Sequence, residues 1–179
     1  MSAPTKEPVV TTLLSTRFFD VIDVNDGTRP EGQGYKIIKE PNPLNGVVVV
    51  PVLPDGRVVL ASLMRRAIGQ MSVEFPRGKI DEGETAVEAA VRELLEETGM
   101  VALKTTEIGK LHSNTSLLAS AVSVCIVEVS GDVSEETDGE VDNIMIKSLK
   151  DVQHMILRGE ITDGHTLSAL TLLSCHADT

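Results

Sequence analysis

Gly78-Lys-Ile-Asp-Glu-Gly-Glu-Thr-Ala-Val-Glu-Ala-Ala-Val-Arg-Glu-Leu-Leu-Glu-Glu-Thr-Gly-Met100 reads as a loop that runs into a single helix. Thr85 is placed to cap that helix, and Glu88 three positions on completes a capping box. Gly99 supplies a C-terminal stop. At about 100° per residue, Glu93, Glu96 and Glu97 fall within an arc of about 100°. Val87, Val91, Leu94 and Leu95 take the other side, so that face is expected to pack on a sheet while the glutamates project away from it. Like charges four residues apart, as in Glu93 and Glu97, cost a helix a few tenths of a kcal/mol, and only Arg92 relieves them here. The three glutamates alone fit an acidic solvated face equally well. Alternatively they hold a cation: carboxylates without Cys or His suit a hard, oxygen-preferring ion, Mg²⁺ or Mn²⁺. Mg²⁺ commonly shares its shell with phosphate oxygens, which points to phosphate chemistry.

Upstream, the pattern is that of strands. Gly46-Val-Val-Val-Val-Pro-Val-Leu53 and Arg57-Val-Val-Leu-Ala-Ser-Leu-Met64 flank Pro54-Asp55-Gly56, a hairpin signal. A further strand is expected over Gln70–Phe75, and two short ones over Thr16–Val24 and Tyr35–Lys39, parted by a turn-rich stretch at Asn25–Gly34. Residues 1–12 read as a loose tail. Downstream, strands are expected over Thr106–Ser113, Ala119–Val129 and Asp142–Lys147, then helices over Leu149–Arg158 and Thr162–His176. Strands first and helices last argue an α+β domain, a mixed sheet sandwiched between helices with an N-terminal antiparallel strand extension.

The chain has 179 residues and a formal net charge of −11. Residues 78–100 carry a balance of −5 and residues 132–142 one of −6, so the remainder is neutral. The acidity is local. Clustered Lys/Arg and aromatic stacking platforms are both lacking, which argues against nucleic acid as a partner. The longest apolar runs fall far short of the roughly 20 residues of a membrane span, and the first eight residues lack a signal-peptide core. Cys125 and Cys175 sit within apolar patterns and read as small buried hydrophobes rather than ligands or halves of a disulfide. A cytoplasmic protein without a membrane partner is the resulting expectation.

The quoted stretch also resembles the Nudix box, G-x5-E-x7-R-E-U-x-E-E-x-G-U, with every fixed position matched from Gly78 through Glu84 and Arg92 to Met100. Seven such matches are expected by chance about once per 10⁸–10⁹ start points. The resemblance implies the Nudix fold and metal-dependent hydrolysis of a nucleoside diphosphate linked to another group. It assigns metal binding to Glu93, Glu96 and Glu97, with a backbone carbonyl near Arg77–Gly78. Arg92 would orient a carboxylate, and Glu84 would organise the loop-to-helix junction.

Gln70-Met-Ser-Val-Glu74-Phe-Pro-Arg-Gly78 is similar to the Glu-apolar-Pro-x-Gly run of the ADP-ribose and nucleotide-sugar pyrophosphatases. That subfamily carries a diphosphate-contacting arginine about nine residues before the glutamate. Arg65 stands at that distance with Arg66 beside it, so Arg65, Arg66 and Glu74 are expected at the substrate. Ser134-Glu-Glu-Thr-Asp-Gly-Glu140 corresponds to the subfamily's acidic loop. Aligned backwards from Gly159-Glu-Ile-Thr-Asp-Gly-His-Thr, Glu140 is the first choice for metal ligand or general base, with Asp138 and Glu136 as alternatives. The subfamily's N-terminal extension pairs with a second subunit, which implies a homodimer and a division into residues 1–40 and a Nudix domain over 41–179. Phe18, Phe19 and Tyr35 are the N-terminal aromatics available to stack on a base, and Phe19 is singled out. Two features depart from the subfamily: tryptophan is absent, and His112-Ser-Asn-Thr-Ser-Leu-Leu118 lacks its usual proline. The implied substrate is a small-molecule nucleotide sugar, ADP-ribose or a relative. A nucleoside triphosphate house-cleaning pyrophosphatase and a non-catalytic nucleotide-binding module are the competing readings.

Overall fold

A computed structural model of the chain describes residues 7–133 and 141–177. It divides into two compact units, one of residues 1–45 with 112–121 and one of residues 46–111 with 122–179. No helix among the described residues is long and apolar enough to cross a membrane.

The first unit carries a three-stranded antiparallel sheet of β1 (Val9–Ser15), β2 (Asp20–Asn25) and β3 (Tyr35–Lys39), in that order. The sequence predicts a tail to residue 12 and a strand from Thr16. Instead Val9–Ser15 is paired, and Thr16–Phe19 is a turn. The Thr16 hydroxyl accepts from the Phe18 and Phe19 N–H groups at 3.1 and 3.0 Å, a local bond that competes with the ladder. All seven residues of β1 are exposed, Val9, Val10, Leu13 and Leu14 among them.

The second unit is built on a large mixed sheet. It is ordered β10 (Asn143–Lys147), β5 (Val58–Arg65), β4 (Leu44–Val52), β9 (Ala121–Val133), β8 (Met100–Leu111). Side chains alternate across the strands. Val48, Val50, Leu60 and Val124 join a core with Phe75, Val152 and Met155 of α2 (Leu149–Leu157), Ile161, and Ala169 of α3 (Gly164–Ala177). From the other face, the buried Cys125 thiol reaches Ala86 of α1 (Ala86–Thr98), so helices cover both faces. The run Val47–Val50 is wholly buried, which is why it reads as continuously apolar rather than alternating.

Two shorter strands position the site. β6 (Gln70–Glu74) pairs with β5 and β7 (Arg77–Lys79) with β4, both antiparallel. Between them the chain crosses from one neighbour to the other at Phe75-Pro76. Proline has no N–H to offer a ladder, so it suits that interruption; its carbonyl accepts from Val49 N–H at 2.8 Å. Glu74 and Arg77 therefore flank the point where β5 and β4 part.

The packing of α1 corrects the sequence reading. Its buried residues are Ala86, Ala89, Ala90, Glu93, Leu94, Glu97 and Thr98, whereas Val87, Val91 and Leu95 are exposed. The small alanines allow close approach to the sheet, and two of the three glutamates face inward with them.

Candidate functional site

The loop before α1 is held by its own polar groups. Asp81 N–H donates to Glu84 Oε2 at 3.0 Å, and the Thr85–Glu88 capping box forms with both bonds present. Gly99 closes the helix in the left-handed region at φ 67°, its N–H donating to the Leu95 carbonyl at 2.8 Å. Arg92 is the hub of this junction. Its Nε and Nη2 donate to Glu84 at 3.0 and 2.9 Å, and Nη2 also reaches the Lys79 carbonyl at 2.8 Å. Its Nη1 donates to Glu93 at 2.7 Å and Glu96 at 3.0 Å. The Glu84 bonds, with those to Glu93 and Glu96, hold the guanidinium above its ordinary proton affinity. The Glu84 carboxyl is lowered in return, chiefly by Arg92.

Glu93 and Glu97 reach under β7. A Cβ built on Gly78 would lie 1.9–2.1 Å from the carboxylate atoms of Glu93, so only glycine leaves room for that group. Burial pushes the Glu93 carboxyl up, and Arg92 only partly offsets it. Glu97, 5% exposed, accepts from the Arg77 backbone N–H at 3.2 Å. Glu96 is exposed. Among the described residues no three acidic, His or Cys side chains converge as a ready-made metal cage. Arg92 instead takes up one oxygen each of Glu93 and Glu96 at its Nη1. The donors nevertheless fit a hard divalent cation: all are oxygens, and a cation would remove the cost of a charged, buried Glu93.

Beside this lies a second charged cluster. Glu74, with a side chain 2% exposed, accepts three bonds from Arg65, two from Nε at 3.0 and 3.1 Å and one from Nη2 at 2.6 Å. It accepts another from Arg77 Nε at 2.8 Å. Burial opposes ionisation of Glu74, but the bonds from Arg65, Arg77 and Ser72 outweigh it and the carboxyl is lowered. Arg77 Nη2 also lies 3.8 Å from Asp163. Asp163 precedes α3 and accepts from the Thr166 N–H and hydroxyl, each at 2.8 Å. Its burial is likewise overcome, by His165, Thr166 and Arg77, and its carboxyl falls well below the usual range. The Thr166 hydroxyl oxygen in turn accepts from Phe75 N–H at 3.0 Å, tying the start of α3 to the strand crossing.

Of the residues marked in the sequence, the second unit gathers Arg65, Glu74, Gly78, Arg92, Glu93, Glu96 and Glu97 around β6, β7 and α1. Arg66 is exposed in the turn after β5 and touches neither cluster. Phe19 lies in the first unit, lining a cleft of about 420 Å³ with Thr16, Asp20, Lys39 and Glu40. Glu136, Asp138 and Glu140 lie outside the described residues. Sequence reasoning missed Arg77, Asp163 and Thr166. Asp163 with Thr166 three positions on is a readable cap signature. Nothing local couples it to Phe75, 91 residues away from Thr166.

A NUDIX domain model matches residues 43–170. An ADP-ribose pyrophosphatase of Bacillus subtilis is 30% identical over 160 residues, 86% of this chain and 85% of that protein. The ADP compounds hydrolase NudE of Escherichia coli is 30% identical over 127 residues, 66% of this chain and 63% of that protein. A crystal structure of an ADP compounds hydrolase superposes with a TM-score of 0.74 at 23% identity, covering 97% of this chain and 95% of its own.

Proposed function

The chain belongs to the Nudix hydrolase family, and from that premise we propose that it hydrolyses the diphosphate bond of a nucleoside diphosphate sugar, ADP-ribose or a close relative. Water and the substrate would give a nucleoside monophosphate and a sugar phosphate. The observation that carries this reading is the adjacency of two clusters on one strand crossing. The Glu93 and Glu97 carboxylates lie against β7, with Glu96 tied to Glu93 through Arg92, and the Arg65–Glu74 pair lies at the end of β6. Acidic oxygens for a cation beside an oriented arginine for a phosphate are what a diphosphate ester requires. The similarity to an ADP-ribose pyrophosphatase over most of both chains supports the choice of substrate class.

In this reading Glu93, Glu96 and Glu97, with the Gly78 carbonyl, would hold Mg²⁺, or Mn²⁺ in its place. Bound there, the ion would supply charge neutralisation of the diphosphate and an activated water. Arg92 fixes the orientations of Glu93 and Glu96 from behind. Arg65, already held by Glu74, binds the diphosphate without losing further rotamer freedom. Glu140, or failing it Asp138 or Glu136, takes the proton from the attacking water, a role that rests on the family resemblance. The exposed apolar residues of β1 favour pairing with a second copy, so a homodimer joined through the N-terminal sheet belongs to the proposal.

The test is a substrate panel of ADP-ribose, ADP-glucose, UDP-glucose, GDP-mannose, a dinucleoside polyphosphate and dGTP, with products resolved by chromatography, in Mg²⁺ and in excess chelator. ADP-ribose going to AMP and ribose 5-phosphate, only with metal, is expected. Preferential release of pyrophosphate from dGTP would favour the triphosphate house-cleaning reading instead.

A further inference from the structure

Glu74 binds more positive charge than one buried carboxylate needs. Arg65 alone grips it side-on through Nε and Nη2, which already compensates the charge. Arg77 adds its Nε at 2.8 Å, to the same Oε2 that Arg65 Nη2 bonds. Each guanidinium has five N–H donors, so both keep donors beyond those spent on Glu74. Both also remain partly open to solvent, at 30% and 27% of the side chain, while the carboxylate between them is sealed.

The backbone of Arg77 places that side chain at the acidic cluster. Its N–H donates to Glu97, and its neighbour Gly78 lies against the Glu93 carboxylate. Asp163, fixed at the start of α3 by Thr166, stands 3.8 Å from Arg77 Nη2, while Glu74 takes Nε. Arg77 thus has one carboxylate bonded at Nε and a second near Nη2, which restrict the side chain and lower the ordering cost of meeting a phosphate.

We propose that Arg77 is a second phosphate-contacting residue, which acts with Arg65 as a paired guanidinium clamp on the diphosphate, Glu74 being the buried carboxylate that holds both. The clamp rests on the reading of this site as one for a diphosphate ester. It deepens that reading by assigning the variable position of the Glu74-Phe-Pro-Arg-Gly78 run to anion recognition. Toward the phosphate, Asp163 is a positioning residue that acts through Arg77.

Inorganic pyrophosphate carries the shared chemistry with neither base nor sugar, so it is the probe. Its binding to the full chain with Mg²⁺ present is measured by calorimetry for the wild type, Arg77→Ala and Arg77→Lys, well below each unfolding midpoint. Arg77→Ala should weaken pyrophosphate at least about tenfold, the loss of a charge-assisted bond. Arg77→Lys should recover only part of it, because an ammonium cannot reproduce the fork. Should Arg77→Ala fail to fold, Arg77→Gln, which can keep an N–H donor toward Glu74 at the ε position but loses both Nη groups, takes its place. Affinity within about threefold of wild type, with only the unfolding midpoint lowered, would overturn the clamp and leave Arg77 a structural ion pair. A wild type that binds no pyrophosphate would overturn it too. Loss of pyrophosphate affinity in a chain that prefers dGTP to every nucleotide sugar would sustain the clamp while refuting the proposed substrate.

Discussion

Gly78→Ala tests the junction of β7 and α1 most directly. The added Cβ would sit 1.9 Å from Glu93 Cδ and 2.0–2.1 Å from its oxygens, about 1.5 Å short of ordinary contact. Gly78 is not among the glycines at positive φ, so alanine imposes no backbone strain there. The clash is with the far end of a flexible side chain, which can retreat. Folding should therefore survive at a cost of about 1–3 kcal/mol, the range for overpacking, with a midpoint lowered by a few degrees per kcal/mol. The retreat cannot spare function. Glu93 would have to leave its 2.7 Å bond to Arg92 and move by more than an ångström. Misplacement on that scale costs about 10² in rate, or about 2.7 kcal/mol of barrier. Turnover of ADP-ribose at saturating substrate and Mg²⁺, beside thermal unfolding of the same preparation, gives both quantities. Adding Glu93→Asp withdraws the carboxylate by one methylene, so the double variant should be more stable than the two single costs predict. Turnover within about threefold of wild type, or strictly additive stabilities, would refute the packing of Glu93 against Gly78 and the metal role built on it.

Other perturbations separate site from scaffold. Glu97→Gln should lower turnover by about two orders of magnitude or more while the chain still folds cooperatively by circular dichroism. Wild-type turnover in that variant would remove Glu97 from the metal site. Asp163, whose carboxyl is lowered relative to an unfolded value near 3.9, stabilises the fold above about pH 4, and that contribution fades as pH falls toward its folded value. Urea unfolding of Asp163→Asn against wild type should show a gap that is full at pH 7 and narrows below about pH 4; a gap constant with pH would contradict it. On α1, Leu94→Ala should cost about 2–5 kcal/mol and Leu95→Lys less than about 0.5 kcal/mol, since Leu94 is wholly buried and Leu95 is 44% exposed. Equal costs by chemical denaturation would show that the burial of α1 is misassigned.

The strands and helices of the second unit were legible because their signals are local. The Pro54-Asp55-Gly56 turn, the Thr85–Glu88 box and the Gly99 stop each draw on neighbours within a few positions, and each recurs in the structure as read. Strand β7 was invisible, being three residues whose pairing is owed to Gly46, Val47 and Val48. The start of β1 was lost for a similar reason. Seven exposed residues carry no burial pattern, so Val9–Ser15 could not be told from a tail.

The misread face of α1 shows where periodicity fails for a site. Amphipathic reasoning sends glutamate to water because burying a lone carboxylate is prohibitive. Here the cost is met by groups that the helix's own sequence does not contain. The Arg77 N–H bonds Glu97, and the missing side chain at Gly78 makes a hollow for Glu93. Only Arg92 is supplied from within. Three valine and leucine positions are left facing outward in exchange. The same holds for Arg65, Glu74, Arg77 and Asp163: none of their ion pairs lies within a single strand or helix, so none registers as periodicity, and Arg65 and Glu74 are marked only by the family resemblance. The spacing of apolar residues along a helix records only which side chains favour burial on their own. Glu93 and Glu97 are buried because of partners outside the apolar pattern of the helix, and the departure of α1 from its expected orientation sets this face apart from a solvated acidic one.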